Sequence, residues 1–312
     1  MAERATALLA PPRRPDGPGP GPAGLPLGLL KTARPRQWIK NVLVIAAPAA
    51  AGELFSPGAL RQLGLVFLLF TAAASAVYLI NDARDADADR AHPTKRRRPV
   101  AAGTVPVPVA YATGALLALA APTAAALLCT PLTAGLLTAY VVMQLAYCVS
   151  LKHVLVVDLA VVTTGFLMRA MIGGVALGIP LSRWFLITTG FGALFMVSAK
   201  RYSEAVQMAG RAGETRALLT EYTTGYLRFV WQLAAGVAVL AYCLWALESG
   251  GTGLLPWRQL SMVAFILAVL RYAVFADRGT AGEPEDVVLR DRALALIGLG
   301  WLALYGLAVA DW

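Results

Sequence analysis

Residues 60–103 read LRQLGLVFLLFTAAASAVYLINDARDADADRAHPTKRRRPVAAG. The stretch opens as an apolar run of about 22 residues, long enough to cross a bilayer as a helix. From Asn81 to Gly103 it packs four aspartates, one asparagine, one histidine and six basic residues, and another apolar run follows. A charged segment held between two spans belongs at a membrane boundary. Asn81, Asp85 and Asp89 are spaced i, i+4, i+8, and Asp82 stands three before Asp85, so on a helix they share one face. Carboxylates that close repel one another unless a cation intervenes. Hard oxygen donors in a small group suit Mg²⁺ shared with substrate phosphates, which makes Asn81, Asp82, Asp85 and Asp89 the candidate metal ligands, with Asp82 and Asp85 central to catalysis. Lys95, Arg96, Arg97 and Arg98 follow at once, as a diphosphate site requires. The plainer alternative, a charge-balanced solvated loop, is disfavoured by the position at a membrane boundary.

The same pattern recurs outward from this stretch. The chain has 312 residues, 58% hydrophobic and 14% charged, with a mean hydropathy of +0.64. Apolar runs predict nine spans, near 37–52, 60–81, 106–126, 131–150, 154–177, 183–205, 222–246, 257–276 and 292–310, and hence an all-α polytopic membrane protein. The short alternating segments of a transmembrane barrel are absent. Residues 1–30, rich in Pro, Gly and Arg, read as a disordered tail without catalytic role, and residues 31–312 as the transmembrane catalytic domain. Cys129, Cys148 and Cys243 lack metal-type spacing and read as small apolar fillers. Trp184 and Trp257 read as interfacial anchors, and Trp231, Trp245 and Trp301 as lipid or core packing.

With nine spans the loops alternate sides. One side, with the adjoining helix ends, carries 23 of the 27 Lys and Arg; the other carries only Arg61, Arg183 and Arg258, and Arg169 lies within a span. This asymmetry puts the charged side and the N-terminus in the cytoplasm. The chemistry-capable clusters all fall on that face. A transporter would distribute polar groups along its path near the midplane, whereas a one-sided site fits an enzyme joining a water-soluble substrate to a lipid. Nothing points to nucleic acid.

Three further groups are candidates. Tyr147, Lys152, His153, Asp158 and Arg169 flank the fourth and fifth spans; Asp158 and Arg169 lie about 20° apart around a helix and roughly 16 Å along it, with Gly165 and Gly173 near the same stripe, open to close approach. A structural pairing with a neighbouring helix competes with a catalytic role for both charges. Lys200, Arg201 and Glu204 end the sixth span, where side-by-side basic groups bind an anion well or merely mark topology. Glu283, Glu285 and Asp286, then Arg290, Asp291 and Arg292, form a loop that either receives hydroxyl groups or is simply solvated. His92 and His153 are too few and too separated for a His metal site. Asp158–Gly165, DLAVVTTG, superficially matches a soluble phosphate loop, but it lies inside an apolar span, without the strand-to-helix context that loop needs.

Asn81, Asp82, Asp85 and Asp89 match the pattern NDxxDxxxD, and Lys95, Arg96, Arg98, Pro99 and Gly103 extend it. In these residues, and in span count and motif position, residues 31–312 resemble the UbiA superfamily of intramembrane prenyltransferases. The resemblance implies a UbiA-type helical bundle with a cytoplasmic-face active site in the plasma membrane, and Mg²⁺ as cofactor. Most members carry a second Asp-rich motif after the sixth span, where this chain has KRYSE with Glu204 as its only carboxylate. RPRQWIKN (34–41), AYCVSLKH (146–153), AKRYSE (199–204) and GEPEDVVLRDR (282–292) are similar instead to the group that transfers phosphoribosyl from phosphoribosyl pyrophosphate (PRPP) to decaprenyl phosphate for cell-wall arabinan. That likeness implies PRPP and a polyprenyl phosphate as substrates, with Lys152 and Arg169 catalytic alongside the aspartates. It implies substrate contacts from Lys40, Asn41, Tyr78, Lys95, Arg98, Tyr147, Lys152, Asp158, Arg169, Lys200, Arg201 and Glu204. A prenyltransferase acting on an aromatic quinone or haem precursor is the alternative, and a homo-oligomer is compatible with either.

Overall fold

A computed structural model describes residues 24–208, 221–248 and 255–310. The basic stretch 209–220 and most of the expected tail, 1–23, lie outside the described residues. Among the described residues the chain is helical and forms no strand. It runs through α1 (Gly24–Thr32), a 3-10 helix (Pro35–Ile45), α2 (Ala46–Ala50), α3 (Ala59–Arg84), α4 (Ala86–Ala91), α5 (Val107–Leu128), α6 (Pro131–Val149), α7 (Val157–Ala176), α8 (Arg183–Met208), α9 (Thr224–Glu248), α10 (Trp257–Asp277), α11 (Pro284–Arg290) and α12 (Arg292–Val309).

Seven of these helices, α3, α5, α6, α7, α9, α10 and α12, are long and apolar enough to cross a membrane. Two of the nine expected spans fall outside that set for different reasons. α8 has the length, but it starts at Arg183 and carries Lys200 and Arg201 near its end. The first expected span, 37–52, is a long 3-10 helix followed by the single turn of α2. Its polar Lys40 and Asn41 and the missing N–H of Pro48 suit neither an unbroken α-helix nor a uniform apolar stripe. At about 2.0 Å per 3-10 residue and 1.5 Å per α residue the segment still rises roughly 30 Å, the thickness of a hydrocarbon core.

The expected tail is corrected at its C-terminal end, because residues 24–32 form α1. Leu25 and Leu29 of α1 pack on a small buried cluster made by Ala83, Ala86, Val100, Val105 and Ala110. Apolar burial thus fixes this helix on the loop that follows the acidic motif.

Two larger cores hold the bundle. One joins α3, α5, α6 and α7 through Phe70, Ala121, Leu137, Tyr140 and Ile172; the other joins α7, α8, α9 and α10 through Leu159, Phe195, Trp231 and Tyr272. Trp231 is therefore core, and Trp245 and Trp301 belong to an aromatic cluster with Tyr242, Phe265 and Tyr305. The small-residue stripe on α7 has a definite partner: a Cβ on Gly173 would sit 1.9 Å from the carbonyl oxygen of Val44. Only glycine lets the first segment lie this close to α7.

Candidate active site

α3 ends at Arg84, and Asp85 forms the joint to α4 at φ −89°, ψ 5°. The i−4 hydrogen bonds continue across it, from Asp85 N to Asn81 O and from Asp89 N to Asp85 O. The helical register therefore persists, and the 3–4 spacing of Asp82, Asp85 and Asp89 leaves them on a common face. Asp82 and Asp89 are buried, at 2% and 4% exposure, and buried carboxylates need partners. Arg98 supplies them: its Nη1 donates to Asp82 Oδ1 at 3.2 Å and to Asp89 Oδ2 at 2.7 Å. Lys152, from the turn between α6 and α7, donates to both oxygens of Asp85 at 2.7 and 3.0 Å.

A third cation was not among the expected site residues. Arg34 Nη2 donates to Asp82 Oδ1 at 2.6 Å, and its guanidinium lies over the Tyr78 ring, 4.9 Å from the centroid. Arg34 links α1 to the 3-10 helix in the left-handed conformation, φ 56°, ψ 66°. A non-glycine residue there is strained, and such strain persists only where its surroundings fix it. In sequence Arg34 looks like one more basic residue at the edge of a Pro-rich tail; its backbone conformation is invisible there.

The loop carrying the basic run is also fixed. His92 Nδ1 accepts the backbone N–H groups of Thr94 and Lys95 at 3.3 Å, and Arg90 Nε donates to Ala101 O at 3.2 Å. His92 thus shapes the turn on which Lys95 and Arg98 stand. Among the described residues no three His, Cys, Asp or Glu side chains gather into a ready cage for a metal ion. The donor set fits Mg²⁺ in another way. That ion keeps several waters and takes one or two carboxylates plus substrate phosphates, and Asp82 and Asp89, bridged by one guanidinium, offer such a pair.

A second constellation lies between α7, α8 and the start of α9. Asp158, 2% exposed, accepts from Tyr222 OH at 2.6 Å and lies 3.4 Å from Arg201 Nε. Burial, and then the bond to Asp158, push the Tyr222 phenol above its usual range, so it remains a donor. Arg201 Nη1 donates to Glu204 at 3.0 Å, and Lys200 Nζ to Glu283 of the loop before α11 at 3.2 Å. Lys200 and Arg201 are therefore neutralised within the protein, and an anion that binds them must displace Glu204 or Glu283. Asp291, from the same acidic loop, instead pairs with Arg271 and caps α12 through Leu294 N.

Arg169 and Asn41 stand elsewhere. Arg169 donates to Asn41 Oδ1 at 3.0 Å, Gly165 O at 3.1 Å and Tyr140 OH at 2.8 Å, under the rings of Phe70, Tyr140 and Phe166. Asn41 in turn donates to Thr71. Its guanidinium ties the first segment to α6 and α7 inside the bundle, and Asn41 carries the link on to Thr71 of α3. Lys40 remains in the 3-10 helix, and Tyr147 on the last turns of α6, five residues before Lys152.

Residues 42–297 match the UbiA prenyltransferase family. The chain belongs to that family. It is 51% identical over 295 residues to a decaprenyl-phosphate phosphoribosyltransferase of Mycobacterium tuberculosis, covering 93% of this chain and 96% of that protein. It is 47% identical to the protein of the same name from Mycolicibacterium smegmatis, over 99% of this chain and 98% of the relative. Among solved structures, the fold matches a UbiA homolog from Archaeoglobus fulgidus bound to GPP and Mg²⁺, with TM-score 0.67 and 16% identity, over 90% of this chain and 99% of that one. A digeranylgeranylglyceryl phosphate synthase matches with TM-score 0.64 and 14% identity, over 91% of this chain and 98% of that one. The UbiA bundle inferred from NDxxDxxxD is thus the observed fold.

Proposed function

We propose that this UbiA-family chain transfers the 5-phosphoribosyl group of PRPP to a polyprenyl phosphate, decaprenyl phosphate in its relatives, and releases pyrophosphate. The near-full-length likeness to proteins named for that transfer carries the reading. The charge pattern agrees with it. Asp82, Asp85 and Asp89 are balanced by Arg34, Arg98 and Lys152, and a metal–diphosphate carries both signs, so each group can exchange its present partner for substrate without leaving an unpaired buried charge.

Mg²⁺, held by Asp82, Asp85 and Asp89 with Asn81 adjacent, would supply charge neutralisation to the diphosphate. Arg34, Arg98 and Lys95 then bind diphosphate oxygens and stabilise the charge that grows as the bond from ribose C1 to diphosphate oxygen breaks. Lys152 and Lys200 orient the acceptor phosphate, one oxygen of which forms the new bond to C1 from the opposite face, with inversion. The bonding pair leaves with pyrophosphate. The acceptor is already an anion near neutral pH, so no strong general base is needed. Where UbiA prenyltransferases commonly carry a second acidic motif, Lys200 and Arg201 are bound to Glu204 and Glu283, an arrangement better suited to an anionic acceptor than to a second metal. The basic bias of this end supports a cytoplasmic-face site in the plasma membrane, the orientation that the positive-inside rule favours.

The test uses purified protein in detergent with Mg²⁺, radiolabelled PRPP and a polyprenyl phosphate. Label should enter the organic phase only when the lipid phosphate and Mg²⁺ are both present. Activity solely on a prenyl diphosphate with an aromatic acceptor would overturn the substrate assignment.

A further inference from the structure

Val156 opens α7 in a backbone conformation that few residues adopt, φ 67° and ψ −43°. Val157 N donates to Leu155 O across it at 2.7 Å, which makes residues 155–157 a γ-turn of positive φ, a rare and strained turn. A β-branched residue at its centre adds to the strain. Such a conformation persists only where its surroundings impose it. Apolar burial does not impose it, because Val154, Leu155 and Val156 are all exposed. The restraint comes from Tyr222, in the segment before α9. Its hydroxyl oxygen accepts the Val156 N–H at 2.6 Å, and its O–H donates to Asp158 Oδ1 at 2.6 Å. Tyr222 is itself fixed: it is part of the core shared by α7, α8, α9 and α10, and its ring stacks on Tyr226, 5.7 Å between centroids and 10° between planes. One phenol thus holds the start of α7 at two points.

What this turn carries is Lys152. Backbone bonds run through the segment without a long gap: His153 N to Ser150 O at 3.1 Å, Val154 N to Leu151 O at 3.2 Å and Asp158 N to Val154 O at 3.1 Å. Little slack is left between Val156 and Lys152. At the other end of the segment Arg84, the neighbour of Asp85, donates to Val149 O at 3.2 Å. The connection between α6 and α7 is therefore pinned at both ends, and Lys152 between the pins reaches Asp85 at 2.7 Å.

We infer that Tyr222 is a positioning residue: its hydroxyl holds the strained turn at Val156 and so aims Lys152 at the reaction site. The inference rests on the role proposed above for Lys152. Without the hydroxyl, Val156 is free to relax to negative φ, and that change redirects the chain between α7 and Lys152. A misplacement of about 1 Å at a reacting centre costs up to 10²-fold in rate, so a bond remote from the substrate can govern turnover.

The experiment compares Tyr222→Phe with wild type in three backgrounds of the purified full chain: unaltered, Val156→Gly and Lys152→Ala. Phenylalanine keeps the ring and its stack and loses only the hydroxyl. In the unaltered background kcat/KM for polyprenyl phosphate is expected to fall about tenfold, with the KM for PRPP unmoved. Glycine takes φ 67° without strain, so in Val156→Gly the same substitution should cost about twofold or less. It should cost equally little in Lys152→Ala, where the group it positions is gone. A wild-type kcat/KM in Tyr222→Phe, or an undiminished tenfold loss in either altered background, would overturn the inference. The Val156→Gly pair decides in the same way if Tyr222→Phe alone does not fold. A second readout needs no turnover: acetylation of Lys152 by a water-soluble succinimidyl ester, read by mass spectrometry against the exposed Lys31. Tyr222→Phe is expected to speed labelling at Lys152 as its amine leaves Asp85, and an unchanged rate would overturn the positioning role. A wild-type protein that transfers no phosphoribosyl to polyprenyl phosphate would overturn the substrate reading, and the labelling rates would still decide what Tyr222 does.

Discussion

Lys152 Nζ lies 2.7 and 3.0 Å from the two carboxylate oxygens of Asp85, although 67 residues separate them in the chain. This contact joins the C-terminal end of α3 to the turn between α6 and α7, and so unites two groups that the sequence presents as separate motifs. Neither side chain is fully exposed, at 19% and 28%, so their charges interact more strongly than a surface pair would.

Asp85→Ala is expected to abolish turnover, by about 10²-fold or more, since it removes an acidic group aimed at the developing charge and its metal. Added Mg²⁺ should not restore it. Lys152→Arg should retain part of the activity and Lys152→Ala much less, because charge can be conserved while reach is not. Steady-state kinetics with PRPP and a polyprenyl phosphate check both, and near-wild-type turnover in Asp85→Ala would end the metal assignment.

Arg34 separates backbone strain from side-chain chemistry. Alanine there keeps the unfavourable left-handed conformation and loses the guanidinium on Asp82; glycine loses the same guanidinium and relaxes the backbone. Arg34→Gly is therefore expected to be about 1 kcal/mol more stable than Arg34→Ala. Both should raise the KM for PRPP about tenfold, the effect of one lost charged hydrogen bond. Thermal unfolding in detergent gives the stability order. Equal PRPP affinity in wild type and Arg34→Gly would remove Arg34 from the substrate site.

Arg169 is predicted to act on stability rather than chemistry. Arg169→Met leaves Asn41 Oδ1 and Tyr140 OH without the donor they have now, at about 1–3 kcal/mol for each orphaned group. The folded fraction should keep its PRPP KM, and Arg169→Lys should recover part of the stability. A variant with unchanged Tm and no turnover would favour the catalytic reading.

The contrast between Arg169 and Arg34 marks what could be read from sequence. NDxxDxxxD announced itself because helical periodicity, charge and membrane context all act over a few residues, and the structure keeps that register through Asp85. The spans were legible for the same reason, except where Lys40, Asn41 and Pro48 turn the first into a 3-10 helix. An intramembrane arginine is equally conspicuous in sequence, but its partners come from distant segments, Asn41 and Tyr140, so spacing cannot tell a clamp from a catalyst. Arg34 has the opposite problem: its role depends on a φ of 56° and on a short helix, α1, that anchors through only a few leucines. The neutralisation of Arg201 by Asp158 and Glu204 likewise depends on how α7 and α8 pack.

Asp291 supplies a test whose direction is set by proton linkage. The guanidinium of Arg271, and then the backbone N–H of Leu294, hold its carboxyl below the usual carboxylate range. A carboxyl lowered on folding stabilises the folded state above its unfolded pKa, and that contribution is lost as pH falls through the folded value. Asp291→Asn is therefore expected to lower Tm at neutral pH, by loosening the tie between α10 and the N-terminus of α12 and removing the negative charge from that helix end while the cap itself is kept. The gap between wild type and variant should close as the buffer is taken below the normal carboxylate range. High salt should shrink it too, because the pair is partly open to water. Scanning Tm against pH for both proteins in one detergent decides the matter: a gap that persists in acid would show that Asp291 stabilises through shape and hydrogen bonding alone, without the charge that Arg271 now meets.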